Sequence, residues 1–472
     1  MIARRTGAAS LLRILGNWLA QGSREPAYRQ LAAALRLLIL DGRLGLETRL
    51  PGERELAAAL GLSRGTIATA FAELRADGYL ASRRGSGSLV TLPAGLSANR
   101  RSATQKDFSI AASPAGPAIH QAYVEALAAL PAYLSSTGYS PSGLLELRTE
   151  IAARYAARGL PTGADEIMVV NGALSGFGLL LRHLTGAGDR VVIDHPTYPL
   201  AIAAIRGAAC RPVPIPLPDI GWDVEGLAAA IGQTTPRLAY LLPDHHNPTG
   251  RCMDAETRAA VAAIAERTRT TIVADETMVD LWYENEPPPP LAAYDRGGHV
   301  ITLGSTGKSF WGGLRIGWIR APVRMIAALA GTRDAVDLGT PVLEQLAVAR
   351  LLVSAETHLP ARRQELRRRR DALISAGEAI LPDWRFPSPA GGLACWIELP
   401  QPLATRLAAT AETIGIRIAA GPSFGIDGAF ERNIRMPFTP DVADLRAALE
   451  RIAPLWRRLA DEGMPQSRTA MV

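Results

Sequence analysis

Five short apolar runs recur between residues 167 and 305: IMVV, RVVID, LAYLLPD, TIVADE and HVITLGS. Each is too short for a buried helix and rich enough in branched residues for a strand buried on both faces. Ala- and Leu-rich segments of helical length separate them. Strands alternating with helices predict an α/β unit, a largely parallel sheet with helices on both faces. In such sheets a ligand sits beyond the carboxyl ends of the strands. After about residue 340 the pattern changes. Arg- and Ala-rich helices mix with IRIAAGPSF and NIRMPF, which predicts a smaller α+β subdomain.

The first 91 residues follow a different rule. Leu31, Leu35, Leu38 and Ile39 mark one face of a helix ahead of Asp41-Gly42. Residues Glu53 to Leu60 make a second helix and Gly61-Leu62 a turn. Ser63 is placed to cap a third helix through its hydroxyl. Gly78 stops that helix, and residues 79–91 read as two strands joined by Arg84-Gly85-Ser86-Gly87. Helix, turn, helix and β-hairpin is the winged helix-turn-helix order, with core 26–91. The second helix of such a unit enters the major groove with its N-terminal residues at the base edges. Ser63, Arg64 and Thr66 stand there, while Arg54, Arg83 and Arg84 lie where phosphates would pass. Arginine suits both phosphate and guanine through its planar fork. The stretch LPGERELAAALGLSRGTIATAFAELRADGYLASRRGSGSLV resembles the DNA-binding domain of the GntR regulators. That resemblance implies DNA contacts by Arg54, Arg64, Thr66 and Gly87 and a double-stranded operator as partner.

Residues 92–120, enriched in Ser, Ala, Pro and Gly with the basic pair Arg100-Arg101, read as a flexible linker. The N-terminal apolar residues Leu11, Leu12, Ile14, Leu15 and Leu19 suggest a short amphipathic helix. No run of 18 or more apolar residues suggests a membrane span. Cys210, Cys252 and Cys395 are far apart and have no metal spacing, which predicts a reducing, cytoplasmic setting and no metal site. The net charge of +6 is modest for 472 residues. The run Glu365-Leu366-Arg367-Arg368-Arg369-Arg370 reads as a solvated basic helix face.

Lysine is the informative cation. It occurs twice, at Lys106 and Lys308, while Lys and Arg together number 51. Where this chain needs only positive charge it uses arginine. Lys308, in LGSTGKSFWGGLRIGW, is therefore a candidate for chemistry a guanidinium cannot do, since an amine can lose its proton and attack a carbonyl.

Other residues fall at the strand ends. Asn171, Gly172 and Ala173 open a helix, and helix N-termini bind phosphate. Tyr198 follows IDHPTYP, Asn247 lies in PDHHNPTG, Asp275 ends TIVAD, and Ser305 and Arg315 flank Lys308. Taken singly each has an ordinary explanation: a turn glycine, a packing aromatic, a helix cap. Together they fit pyridoxal 5'-phosphate. Lys308 would form the Schiff base, Asp275 pair with the pyridine nitrogen and Asn247 donate to the phenolic oxygen. Tyr198 would stack on the ring. Ser305, Arg315 and the N–H groups near Gly172-Ala173 would hold the phosphate.

The constellation resembles the fold-type I aminotransferases over residues 121–460, with NPTG and the Ser305, Lys308, Arg315 spacing as its specific elements. The resemblance further implies that Arg435 holds a substrate carboxylate. It also implies that Tyr139 of TGYSPSG reaches the phosphate of a neighbouring subunit in a homodimer. One departure stands out. Relatives of this kind place a tyrosine two or three residues after the pyridine-binding aspartate, and here those positions are Thr277 and Met278.

A GntR-like head on an aminotransferase-like body is the arrangement of the MocR subfamily of bacterial regulators. Two readings follow. In one, the body binds the cofactor and senses it, or an amine or amino-acid effector. In the other, the chain is a working aminotransferase with a regulatory DNA-binding head.

Overall fold

The computed structural model describes residues 5–16, 18–19, 25–40, 44–45, 48–83, 87–91, 93, 106–116 and 118–463. Arg84, the pair Arg100-Arg101 and residues 92, 94–105 and 117 of the expected linker lie outside the described residues, as does the side chain of Arg83.

The head is built from α1 (Ala8–Leu15), α2 (Ala27–Leu40), α3 (Glu53–Leu60), α4 (Arg64–Ala76), β1 (Leu80–Arg83) and β2 (Gly87–Val90). Leu11 of α1, Leu31 and Leu35 of α2, Leu56 of α3 and Ile67, Phe71 and Leu74 of α4 share one core. The amphipathic N-terminal segment is thus part of the head. Gly61 ends α3 in the left-handed conformation, φ +65°, which a residue without Cβ adopts at no steric cost. Helix α2 packs against the helix Ala404–Thr413 of the C-terminal unit.

The large unit carries a seven-stranded sheet of β4 (Ile167–Val170), β5 (Arg190–His195), β6 (Arg211–Pro216), β7 (Leu238–Leu241), β8 (Thr271–Asp275), β9 (Val300–Ser305) and β10 (Gly317–Arg320). The order is β4-β10-β9-β8-β7-β5-β6. Strand β10 runs antiparallel to both neighbours and the other pairings are parallel. The apolar runs of the sequence supply five of these strands. Strand β6 was not legible because three prolines interrupt RPVPIP. It survives as an edge strand, paired with β5 alone, where a missing N–H can face outward.

The small unit has a sheet in the order β11-β13-β12-β3, with β3 (Lys106–Phe108), β11 (Ala394–Glu398), β12 (Ile416–Ala420) and β13 (Asn433–Pro437). Two boundaries differ from expectation. Strand β3 falls inside the expected linker 92–120: it lies parallel to β12, buries Phe108, and Lys106 Nζ bonds Asp444 at 2.9 Å. The small unit also starts later than about 340, because helix Val342–Val353 packs on Ala118–Ala129 and Leu145–Ala157 of the large unit.

The basic run 365–370 is not wholly solvated either. Arg370 is 4% exposed, lies 5.2 Å from the Tyr283 ring and pairs with Glu284 at 2.8 Å. Helical spacing puts it on the face of buried Leu366 and Leu373. Among the described residues no helix is long and apolar enough to cross a membrane.

Candidate cofactor and DNA-contact sites

The carboxyl ends of β7, β8 and β9, with the start of helix Ala173–Leu184, surround a cavity of about 270 Å³. Gly172, Ala173, Tyr198, Asn247, Asp275, Ser305, Lys308 and Arg315 all line it, as do Thr277 and Met278. Residues 143 positions apart in sequence, Gly172 and Arg315, thus meet at one mouth.

Lys308 stands in a one-turn helix, Thr306–Ser309, whose cap Ser305 accepts from Gly307 N–H at 3.0 Å. Its Nζ donates to the Ala111 carbonyl at 2.8 Å. Burial, with Arg435 and Arg315 nearby, pulls the amine down to about 8, while Asp275 opposes the shift. A fraction is therefore unprotonated near neutrality.

Asp275 ends β8 and is buried. Its Oδ1 accepts from Thr277 N–H at 3.0 Å and its Oδ2 from the Tyr240 hydroxyl at 2.5 Å. Burial raises its carboxyl above the usual range, and these two donors pull it back. Burial also raises the Tyr198 phenol, helped by the Asp275 charge.

At the other end of the cavity Gly172 has φ +91°, and a Cβ there would lie 2.8 Å from an Arg315 terminal nitrogen. Glycine lets the guanidinium reach the first turn of helix Ala173–Leu184, where it donates to the Asn171 carbonyl at 3.0 Å. The Gly172 N–H is taken by the Val170 carbonyl at 2.8 Å, so the start of the helix at Ala173 and the Arg315 guanidinium are what this side of the cavity offers an anion. The Asn171 side chain is turned away from it, donating to Asp337 at 2.6 Å; only its backbone meets Arg315.

Arg435, on β13, borders the cavity through Asn247, donating to Oδ1 at 3.4 Å. It also donates to the Ser109 carbonyl and lies 5.1 Å from the Phe424 ring centroid. Its Nε has no partner among the described residues. Burial pulls the guanidinium down to about 10. Tyr139 is 70% exposed and does not line the cavity of its own chain.

These residues fit pyridoxal phosphate on two counts, a buried reactive amine and a buried carboxylate lining the same cavity as a guanidinium at a helix start; Arg435, with its Nε unpartnered among the described residues, is suited to the carboxylate of a second ligand instead. Tyr240, Phe177 and Leu174 also line the cavity and were not singled out from sequence. The available signal was a hydroxyl inside the otherwise apolar strand LAYL.

On the head, Arg54, Ser63 and Arg64 are exposed and Thr66 is half-buried. Ser63 Oγ accepts from Thr66 N–H at 3.0 Å, capping α4, and lies 2.8 Å from Thr66 Oγ1. Arg64 Nε is 3.9 Å from Glu53. Gly87 opens β2 with φ +81° and is exposed.

Residues 118–452 match the family described as aminotransferase class I and II. The chain belongs to that family. Residues 27–90 match the gntR family of bacterial regulatory proteins, so this family member is a GntR-type head fused to an aminotransferase-class body. YisV of Bacillus subtilis, described as an uncharacterized HTH-type transcriptional regulator, is 29% identical over 69% of this chain and 68% of its own length. Aromatic-amino-acid aminotransferase 1 of Thermococcus litoralis is 29% identical over 68% of this chain and 78% of its own. Regulators and enzymes thus both stand among its relatives. The body is similar in fold to LysN, the α-aminoadipate aminotransferase of Thermus thermophilus, with TM-score 0.70, 24% identity, and coverage of 76% of this chain and 94% of that one. Pyridoxal 5'-phosphate is the cofactor of this fold class, and the cavity suits it.

Proposed function

We propose that this chain is a DNA-binding regulator whose body holds pyridoxal phosphate at Lys308 and responds to the cofactor or to an amine or amino acid that reaches it. When bound, the cofactor supplies an aldehyde for an amine and a ring that withdraws electrons. The chain's residues do the rest. Lys308, partly unprotonated near pH 8, would hold the aldehyde, Asp275 would offer a carboxylate to the ring nitrogen, Asn247 would donate to the phenolic oxygen and Tyr198 would stack on the ring. The helix start at Gly172-Ala173, Ser305 and Arg315 would hold the phosphate. Arg435 takes an effector carboxylate.

The observation that carries this reading is the pair Thr277 and Met278 lining the cavity. A binding site is kept, but methionine has no proton to give and threonine is short. Binding tolerates that loss better than proton transfer does. The exposed Arg54, Ser63, Arg64 and Gly87, with half-buried Thr66, give the head a surface for DNA; Arg83 and Arg84 are proposed as further contacts on the sequence alone. Homodimerisation is part of the proposal: Leu134, Tyr139 and Leu145, close together in sequence, are 70%, 70% and 63% exposed, and Tyr139 would serve the partner's phosphate.

The reading is tested by mapping DNA bound by the protein genome-wide, with and without vitamin B6 depletion. Discrete sites whose occupancy follows the vitamin support it. An absence of discrete sites, with amino acids converted to keto acids at ordinary enzymatic rates, would replace it with the aminotransferase reading.

A further inference from the structure

Strands β7 and β8 are parallel neighbours, with Tyr240 opposite Val273. Side chains alternate along a strand, so Asp275, two residues beyond Val273, emerges on the face of Tyr240. The Tyr240 ring reaches along that face and its hydroxyl donates to Asp275 Oδ2 at 2.5 Å. Tyr240 is 1% exposed. Phe177 packs on it, ring centroids 4.5 Å apart, and leaves the phenol one direction to point. The other carboxylate oxygen is taken by Thr277 N–H. Tyr240 and Thr277 therefore hold both oxygens of Asp275 between them, which fixes the carboxylate in the cavity.

We infer that Tyr240 is a positioning residue that keeps Asp275 ionised and aimed at the cofactor's ring nitrogen. The inference rests on the cofactor reading above. It assigns the tuning phenol of this chain to the pyridine end of the ring, whereas the position expected to carry one at the phenolic-oxygen end holds Thr277 and Met278. The physical requirement is direct. A buried carboxylate is driven to take a proton, and a neutral Asp275 cannot pair with a pyridinium. A short phenol hydrogen bond stabilises the charged form. The phenol itself stays protonated, because burial and the Asp275 charge both push its own titration upward. It therefore acts only as a donor.

The test is the pH profile of pyridoxal phosphate affinity in the full-length protein. Affinity should fall on the acid side in two limbs, one as Lys308 takes its proton near pH 8, which every variant keeping Lys308 shares, and one as Asp275 becomes protonated. Tyr240→Phe is expected to move the Asp275 limb up by about one pH unit, the scale of a charge-assisted hydrogen bond. Comparing variant with wild type cancels the titrations of the free cofactor. Asp275→Asn should bind weakly with no Asp275 limb. If Tyr240→Phe does not fold, 3-fluorotyrosine placed at 240 alone keeps the ring and strengthens the donor, and should move the limb to lower pH. Weaker binding at every pH with an unmoved limb would reduce Tyr240 to a packing role and overturn the inference. A wild-type protein that forms no borohydride-reducible adduct with the cofactor would overturn the cofactor reading and this inference with it.

Discussion

The Arg435 guanidinium lies over the ring of Phe424, 5.1 Å from its centroid, and among the described residues it donates to the Asn247 amide oxygen and the Ser109 carbonyl rather than to a carboxylate. A buried cation held by carbonyls and an aromatic face is stable enough to persist and incomplete enough to favour an anion. Arg435→Ala should weaken binding of an amino-acid effector by about 2–5 kcal/mol. An amine without a carboxylate should bind the variant and the wild type alike. Titration of the cofactor's visible absorbance with matched amine and amino-acid pairs measures this. Equal losses for both classes would remove Arg435 from carboxylate recognition.

Lys308 gives a stability prediction with a defined sign. Its folded-state titration is near 8, below the ordinary lysine value. Protonated Lys308 therefore costs stability below pH 8, and the cost is relieved as pH rises from 8 towards the unfolded value near 10.5. Lys308→Met should raise the stability of cofactor-free protein at pH 7 by up to roughly 3 kcal/mol. The gain should shrink towards pH 10. Denaturant melts at pH 7 and pH 10 decide it, and a gain independent of pH would contradict the assigned burial cost. Lys308→Arg should keep the charge and lose the reducible cofactor adduct.

In the head, Ser63→Ala removes the cap of α4 and should cost about 1 kcal/mol of stability. It is read by thermal unfolding of the full chain with a probe on the head. No change would mean that water replaces the Ser63 hydroxyl at Thr66.

Arg64 and Arg54 should separate by mechanism. A base contact by Arg64 predicts that Arg64→Ala loses about 1–3 kcal/mol on preferred DNA and relaxes sequence preference. A phosphate contact by Arg54 predicts a uniform loss and a shallower salt dependence. DNA titrations at several salt concentrations compare them, and equal sequence-independent losses would take Arg64 out of base readout.

Much of the architecture was legible because two periodicities carry it. The branched runs such as IMVV are strands because nothing else buries so short a segment, and Ser63 and Gly61 punctuate the head by hydroxyl and missing Cβ. What was not legible depended on partners distant in sequence. Strand β3 is three residues long and exists because β12 pairs with it. Arg370 looked like surface charge until Tyr283 and Glu284 came against it. The same limit applied in the cavity. Lys308 was identifiable from lysine scarcity, whereas Tyr240 became visible only when β7 and β8 aligned, 35 residues apart at the hydrogen bond. Asn171 was expected to serve the phosphate, and its side chain instead serves Asp337, a residue 166 positions away.

If the cofactor site and the DNA-binding head work as one device, a ligand shifts it only by its differential affinity for two states. The most direct measurement is the affinity of full-length protein for its preferred DNA as pyridoxal phosphate, alone and with an amino acid, is titrated in. The same titration is run on Lys308→Arg. A change in DNA affinity in the wild type, absent in the variant, is the expected result. DNA affinity that is the same in both proteins at every cofactor concentration would contradict the account.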